Sequence, residues 1–218
     1  MRAIRSIAPL LLLLILAVAC DFPSDPPLIS GDNPDTPGTD PKTSKELLPL
    51  KEGNQWFYVY KVKMRPGTNT VSATMRTLLF QGREYHFLRY RSIMGPVGET
   101  NAFPVLLAHD STGLSFSQPA DPRDTLRLSR APILLFHFPY PARPGGWKST
   151  GASDFSVRLT HVDTLMTVFN SNVQLRCNRY EVARRNSITQ VFYIVPGICI
   201  LRIEGEDVDF HTVGWQLH

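Results

Sequence analysis

From residue 54 onward the chain alternates apolar and polar side chains with a period of two, and no stretch of the chain after the N-terminal apolar run repeats with the 3.6-residue period of an amphipathic helix. Trp56, Tyr58, Tyr60 and Val62 fall on one face of a first strand, while Lys61 and Lys63 take the other, because successive side chains of a strand point to opposite sides. Arg65-Pro66-Gly67-Thr68-Asn69 then turns the chain, since Pro sets φ and Gly permits positive φ. Further strands are expected over 70–80, 83–93, 102–109, 113–117, 155–163, 165–169, 173–184, 189–195, 198–204 and 208–213. The apolar run 133–138, flanked by Pro132 and Pro139, suits a buried strand or a loop crossing the core. Strands at this spacing predict an all-β domain over residues 46–218. Its form is a single antiparallel, strongly curved sheet that closes toward a half-barrel or sandwich.

The N-terminus has a different pattern. Arg2 and Arg5 precede an apolar run from Ile7 to Val18, the layout of an export signal. Its 12 residues are too few to cross a bilayer core, which takes roughly 20. Leu16-Ala17-Val18-Ala19-Cys20 resembles the lipobox of bacterial lipoproteins, in which small residues precede a cysteine that is lipidated and becomes the mature N-terminus. The resemblance implies a signal peptide over 1–19 and lipid on Cys20. A conventional secretory signal cut after Ala19 fits the same small residues. Because each buried methylene contributes about 0.8 kcal/mol, two or three acyl chains make a lasting anchor.

Residues 21–45 carry six prolines and five aspartates with hardly any large apolar groups. Such a segment buries too little surface to offset its ordering entropy, so 20–45 reads as the lipidated cysteine followed by a disordered tether. Residues 46–218 hold 19 basic against 14 acidic groups, a formal +5. A modestly basic domain on an acidic leash can lean toward anionic headgroups or glycans. No run of Lys or Arg exceeds Arg184-Arg185, and no nucleic-acid motif is present.

Two further segments resemble uncharacterised bacterial envelope lipoproteins. Leu48-Pro49-Leu50-Lys51-Glu52-Gly53-Asn54-Gln55-Trp56-Phe57-Tyr58 resembles their strand opening, and Tyr193-Ile194-Val195-Pro196-Gly197-Ile198-Cys199-Ile200 their closing strand, with Cys199 where a glycine is usual. The resemblance implies a curved sheet akin to LolA or lipocalin-like half-barrels. It implies no known reaction.

Chemistry is thinly marked. The histidines form no recognised metal spacing with one another. Asp207, Asp209 and His211 would share one face of a strand, as would His161 and Asp163. There is no G-x-S-x-G elbow, so the expectation is a protein without catalytic residues, cofactor or metal. Trp56, Tyr58 and Tyr60, with Phe136 and Phe138, are the candidate lining of a concave ligand site; filling of the core by the same rings is the alternative. Cys177 and Cys199 are a candidate disulfide. With Arg184 facing Thr189 across a hairpin they are expected about 10 Å apart, and so need a bulge at Pro196-Gly197 to meet.

Together these features predict a membrane-anchored protein of the bacterial envelope. It would sit on either membrane facing the periplasm, or at the cell surface, and act as a non-enzymatic binding or carrier module for an apolar, glycan or peptide ligand. The alternative is a structural or assembly lipoprotein working through an envelope protein partner.

Overall fold

The computed structural model describes residues 44–62, 69–92, 105–121, 127–141, 143–149, 153–185, 187–206 and 208–218. Residues 1–43, with the expected signal, Cys20 and all of the expected tether but Ser44 and Lys45, lie outside the described residues, as do most of the turn at 65–69, Asp207 and the side chain of Tyr60.

Among the described residues twelve strands succeed one another: β1 Gln55–Val62, β2 Asn69–Phe80, β3 Arg83–Ser92, β4 Val105–Asp110, β5 Gly113–Gln118 and β6 Ile133–Pro139. They continue as β7 Lys148–Ser149, β8 Phe155–Thr167, β9 Gln174–Arg184, β10 Ser187–Val195, β11 Cys199–Gly205 and β12 Val208–Gln216. All belong to one antiparallel sheet in the order β6-β5-β4-β3-β2-β1-β12-β11-β10-β9-β8-β7. Pairing of β1 with β12 joins the two halves, and within each half every strand pairs with its neighbour in sequence. The sheet is therefore an up-and-down meander nearly closed into a barrel, with its seam between β6 and β7–β8.

Side chains and loop atoms rather than a strand ladder bridge that seam. The Tyr180 hydroxyl donates to the Pro139 carbonyl at 3.0 Å, and Ser153 Oγ donates to the Leu135 carbonyl. Gly145 in the β6–β7 connection donates its N–H to Leu159 of β8 at 3.1 Å.

Twelve strands at about 4.8 Å spacing would enclose a circular section roughly 20 Å or more across. Rings from strands on the two sides of the seam are close enough to meet inside it. Phe116 of β5 lies 5.9 Å from Phe192 of β10, and Phe138 of β6 lies 5.0 Å from Phe192 and 4.8 Å from Tyr180 of β9, between ring centroids. These strands flank the seam, so their rings fill the interior beside it. Hydrophobic burial drives this packing, because an open interior would leave these rings in water.

The segment before β1 closes one end. Leu47 and Leu48 are buried in the core cluster. Both ring nitrogens of His109 face carbonyl oxygens, Nε2 that of Leu48 at 2.9 Å and Nδ1 that of Gly113 at 3.2 Å. Gly197 N–H donates to the Leu47 carbonyl at 3.3 Å, and the Tyr140 hydroxyl to that of Ser44 at 2.7 Å. The motif read as a strand opening thus has a specific task. Gly53 takes φ +89°, and buried Asn54 donates to the Pro49 carbonyl at 2.7 Å while accepting the His218 N–H at 2.9 Å. Plug, first strand and C-terminus are tied together there.

Three expectations are corrected, and one is narrowed to the strand it offered. The strands expected over 155–163 and 165–169 are one strand, β8, with register shifts around a bulge where Asp163 takes φ +55°. The segment 193–200 is not one closing strand, since the chain turns at Pro196-Gly197, with Gly197 at φ +73° and Ile198 N–H bonded to Val195 at 3.1 Å. The run 133–138 is β6, a strand beside the seam with Ile133 exposed and Phe136 and Phe138 buried. At the β9–β10 hairpin Arg184 pairs with Ser187 and not with Thr189, because the turn is shorter than expected.

Candidate functional site

Of the aromatic residues singled out in the sequence, Trp56, Tyr58, Phe136 and Phe138 lie in the interior. Trp56 and Tyr58 are buried, and the Trp56 indole N–H donates to the Ile198 carbonyl at 2.9 Å. Phe136 stacks on Phe116 at 5.0 Å and meets Phe138 at 5.4 Å. Ring faces turned on one another leave little room for a guest between them. Among the described residues, two outer clefts lie elsewhere and are lined by none of these rings.

Cys177 and Cys199 are both buried, and both thiols are free. Asn178 pairs with Ile194, and Val195 pairs with Cys199. Continuing the first register by one residue sets the two cysteines on either side of Val195, two strands apart. That is about 10 Å, beyond the roughly 7 Å a disulfide spans. The separation matches the one expected from sequence, but it runs across the sheet instead of along a strand. Cys177 Sγ donates to the Thr164 carbonyl at 3.2 Å, and burial pushes its pKa up to about 12 and raises that of Cys199 as well. Thiols held in this state are poor nucleophiles.

The larger chemical interest is on the outer face of β3–β6. Leu114, Phe116, Phe136 and Phe138 point inward, so alternation turns Ser115, Ser117 and His137 outward. Ser115 and His137 are directly paired across β5 and β6. A cleft of about 460 Å³ opens over them, lined by Arg83 and Tyr85 of β3, Asp110 of β4, both serines, His137, and Lys148 and Ser149 of β7. Beside it, Leu128 from the β5–β6 connection folds over Leu78, Phe87 and Leu106 to make a second small core on the outside of the sheet.

Four polar side chains in or beside this cleft form one chain of hydrogen bonds. Asp110 Oδ1 accepts from the Thr112 backbone N–H at 2.8 Å and from its hydroxyl at 2.5 Å. Thr112 Oγ1 lies 3.2 Å from His137 Nε2, and His137 Nδ1 lies 3.1 Å from Ser115 Oγ. The hydroxyl of Thr112 holds the Asp110 carboxyl below its ordinary range. Gly113 makes this proximity possible: at φ +145° it carries no side chain where a Cβ would meet His137 Nε2 at 3.0 Å.

The opposite half carries a row of charges on its outer face. Arg158 and Arg179 both hydrogen-bond the buried Glu181 carboxylate, Arg179 at 2.6 Å. The Tyr193 hydroxyl, 3.5 Å from Arg179 Nε, donates to Glu204 at 3.3 Å, and Arg202 pairs with Glu204 at 2.9 Å. Trp147 covers the far end, with the Arg158 guanidinium 4.6 Å from its ring centre. An ionic outside around an aromatic inside is the reverse of a membrane-spanning barrel, whose outer band is apolar.

Burial by itself would raise the pKa of Glu181, but the hydrogen bonds from Arg158 and Arg179 outweigh it and hold the carboxyl below its ordinary value. A carboxylate with a depressed folded pKa stabilises the fold above its unfolded pKa of about 4.3, and that contribution is lost as pH falls through the folded value. The urea midpoint is accordingly expected to drop between about pH 6 and about pH 3, with a smaller drop in Glu181→Gln. Equal acid sensitivity in the two proteins would show that this cluster contributes nothing to it.

Asp209 and His211 share one face of β12, as alternation requires, and Asp207 lies outside the described residues. His211 pairs with Arg202 across β11–β12 and rests on the Phe169 ring at 4.9 Å, and burial, then Arg202, lowers its pKa. A guanidinium at that place repels a metal ion. The bulge at Asp163 breaks the alternation that would have set it beside His161. Among the described residues, no three His, Cys, Asp or Glu side chains converge. Sequence reading missed the Ser115–His137 pair, although its alternating neighbours already turned both outward. What it lacked was the pairing of β5 with β6 across a long connection.

No protein-family model matches the chain, and no curated protein matches it. Two solved structures are similar to it in part. One is a protein of Bacteroides fragilis described as a candidate exported protein with a YmcC-like fold, 11% identical, with a TM-score of 0.41 over 78% of this chain and 98% of that one. The other is a candidate lipoprotein of Parabacteroides distasonis, 9% identical, with a TM-score of 0.41 over 79% of this chain and 99% of that one. Likeness at this level transfers neither activity nor ligand.

Proposed function

We propose that this chain is an envelope lipoprotein, anchored through lipid on Cys20, whose β domain is a non-enzymatic binding module for a polar ligand, a glycan or peptide. The outer cleft over β3–β6 is the binding surface in this reading. One observation carries it. Phe136 and Phe138, candidates to line an apolar chamber, meet Phe192 at 5.9 and 5.0 Å, whereas the outer cleft is open and offers hydroxyls, an imidazole, a carboxylate and two cations. A surface of that chemistry suits hydroxyl- and carbonyl-rich ligands better than acyl chains.

The assembly alternative would use the edge of β8, where β7 covers only Ser156 and Val157 and Val162 and Leu165 are exposed. The bulge at Asp163 makes that edge a poor template for an added strand. The cleft is therefore the preferred surface.

The test is native mass spectrometry of the mature chain, released from detergent after expression in a Gram-negative host fed an alkyne-labelled fatty acid. Label on the wild type and none on Cys20→Ser is expected for the anchor. A retained or added saccharide or peptide, lost in Ser117→Trp, is expected for the cleft. An unlabelled wild type sinks the anchor, and ligand retention unaffected by Ser117→Trp sinks the cleft.

A further inference from the structure

The hydrogen-bond chain beneath the cleft has a fixed direction. Thr112 spends its only hydroxyl proton on Asp110. Its oxygen therefore accepts from His137 Nε2, which must carry a proton. A neutral imidazole protonated on Nε2 is an acceptor at Nδ1, so the Ser115 hydroxyl donates to it. In this state the one proton that Ser115 could offer a ligand is turned into the protein.

A second proton on His137 reverses the last link. Nδ1–H then donates to Ser115 Oγ, and the Ser115 hydroxyl is released toward the cleft. The groups that face this site are Arg83 and Tyr85 from β3, Asp110 from β4 and Lys148 from β7. Arg83 lies 5.3 Å from the centre of the Tyr85 ring, which limits its freedom. Asp110 is occupied by both donors of Thr112. With neutral His137 the cleft carries two cations against one anion, and with charged His137 three. Both the added charge and the freed hydroxyl favour a negatively charged guest.

We propose that this cleft binds an oxyanion group, a sulfate, phosphate or carboxylate, and that binding is coupled to protonation of His137, which redirects the Ser115 hydroxyl to the ligand. The inference rests on the reading of the cleft as a binding surface and adds the ligand's charge and its pH dependence. Thermodynamic linkage then requires that an anion bound more tightly by the protonated form draw a proton onto His137.

Sodium sulfate is the suitable probe, because it stays dianionic across the range in which histidine titrates. Titration calorimetry of the full mature chain in detergent is expected to show sulfate binding at least about fivefold tighter near pH 5 than near pH 8. His137→Gln is expected to bind with the same affinity at both pH values, and Lys148→Gln more weakly at both. In the unaltered protein, sulfate added near pH 7 should move the His137 ring proton resonances toward their protonated positions, a readout independent of any variant's folding. Equal wild-type affinity at both pH values, or unmoved His137 resonances on saturation, overturns the coupling. Absence of sulfate binding at either pH overturns the oxyanion site. Retention of a neutral saccharide or peptide in the mass-spectrometric experiment would still leave the binding surface standing.

Discussion

Phe138→Ala is expected to lower stability by about 3–5 kcal/mol, the range for removing a fully buried aromatic ring. Phe138 has no exposed surface and meets Phe116 at 5.0 Å, Phe136 at 5.4 Å, Tyr180 at 4.8 Å and Phe192 at 5.0 Å. Urea unfolding of the mature chain measures the loss. The informative comparison is the double variant with Phe192→Ala, because these two rings belong to strands on the two sides of the seam, β6 and β10. Residues in contact depart from additivity by about 0.5–3 kcal/mol, whereas separated ones add to within about 0.5. Additive losses would mean that the rings do not meet across the seam and would reopen the interior beside it as a ligand chamber. Coupling would confirm that the rings fill that interior, which is the physical ground for looking for the ligand outside.

Gly113→Ala is expected to cost about 3 kcal/mol or more, well above an ordinary surface glycine. A Cβ there would lie 2.0 Å from the Phe138 carbonyl oxygen and 2.7 Å from the Tyr140 backbone N, with φ at +145°. Both obstacles are backbone, so no side-chain rotation relieves them. The strands must separate, which would break the Tyr140 N–H bond to the Thr112 carbonyl and pull His137 from Thr112, at present 2.9 and 3.2 Å. Gly82→Ala is the control: its φ is +79°, but nothing lies within 4 Å of the added methyl, so about 1 kcal/mol is expected. If the two variants lose the same stability, the close approach of β5 and β6 at Gly113 is not what holds that hairpin together.

Local pattern and tertiary arrangement contributed differently to these two sites. Phe136 and Phe138 stand on one face of their run because side chains alternate, and Ser115 and Ser117 stand opposite Leu114 and Phe116 for the same reason. Which face is inside can also be read, since the bulkier apolar set goes there. The sequence does not show which strand lies opposite which. Ser115 meets His137 only because β6 returns beside β5, and Cys177 and Cys199 are parted by Val195 only because the chain turns at Pro196-Gly197. Asp163 shows the limit within a strand. Nothing about Thr160-His161-Val162-Asp163 as letters announces a bulge, yet one positive φ reverses the facing of the residues beyond it.

By itself, then, the sequence determined the material of this protein: antiparallel strands and an aromatic face to bury, with an N-terminal pattern that resembles a lipoprotein signal. Each comes from local steric alternation, composition or short spacing, all properties of neighbouring residues. Only the tertiary structure decided that the strands nearly close into a barrel, that Leu47 and Leu48 plug one end, and that a serine, a histidine, a threonine and an aspartate line up beneath an outer cleft. These depend on strand pairing between distant residues and on how closely rings from distant strands must approach to keep water out. Neither quantity is a property of any one segment.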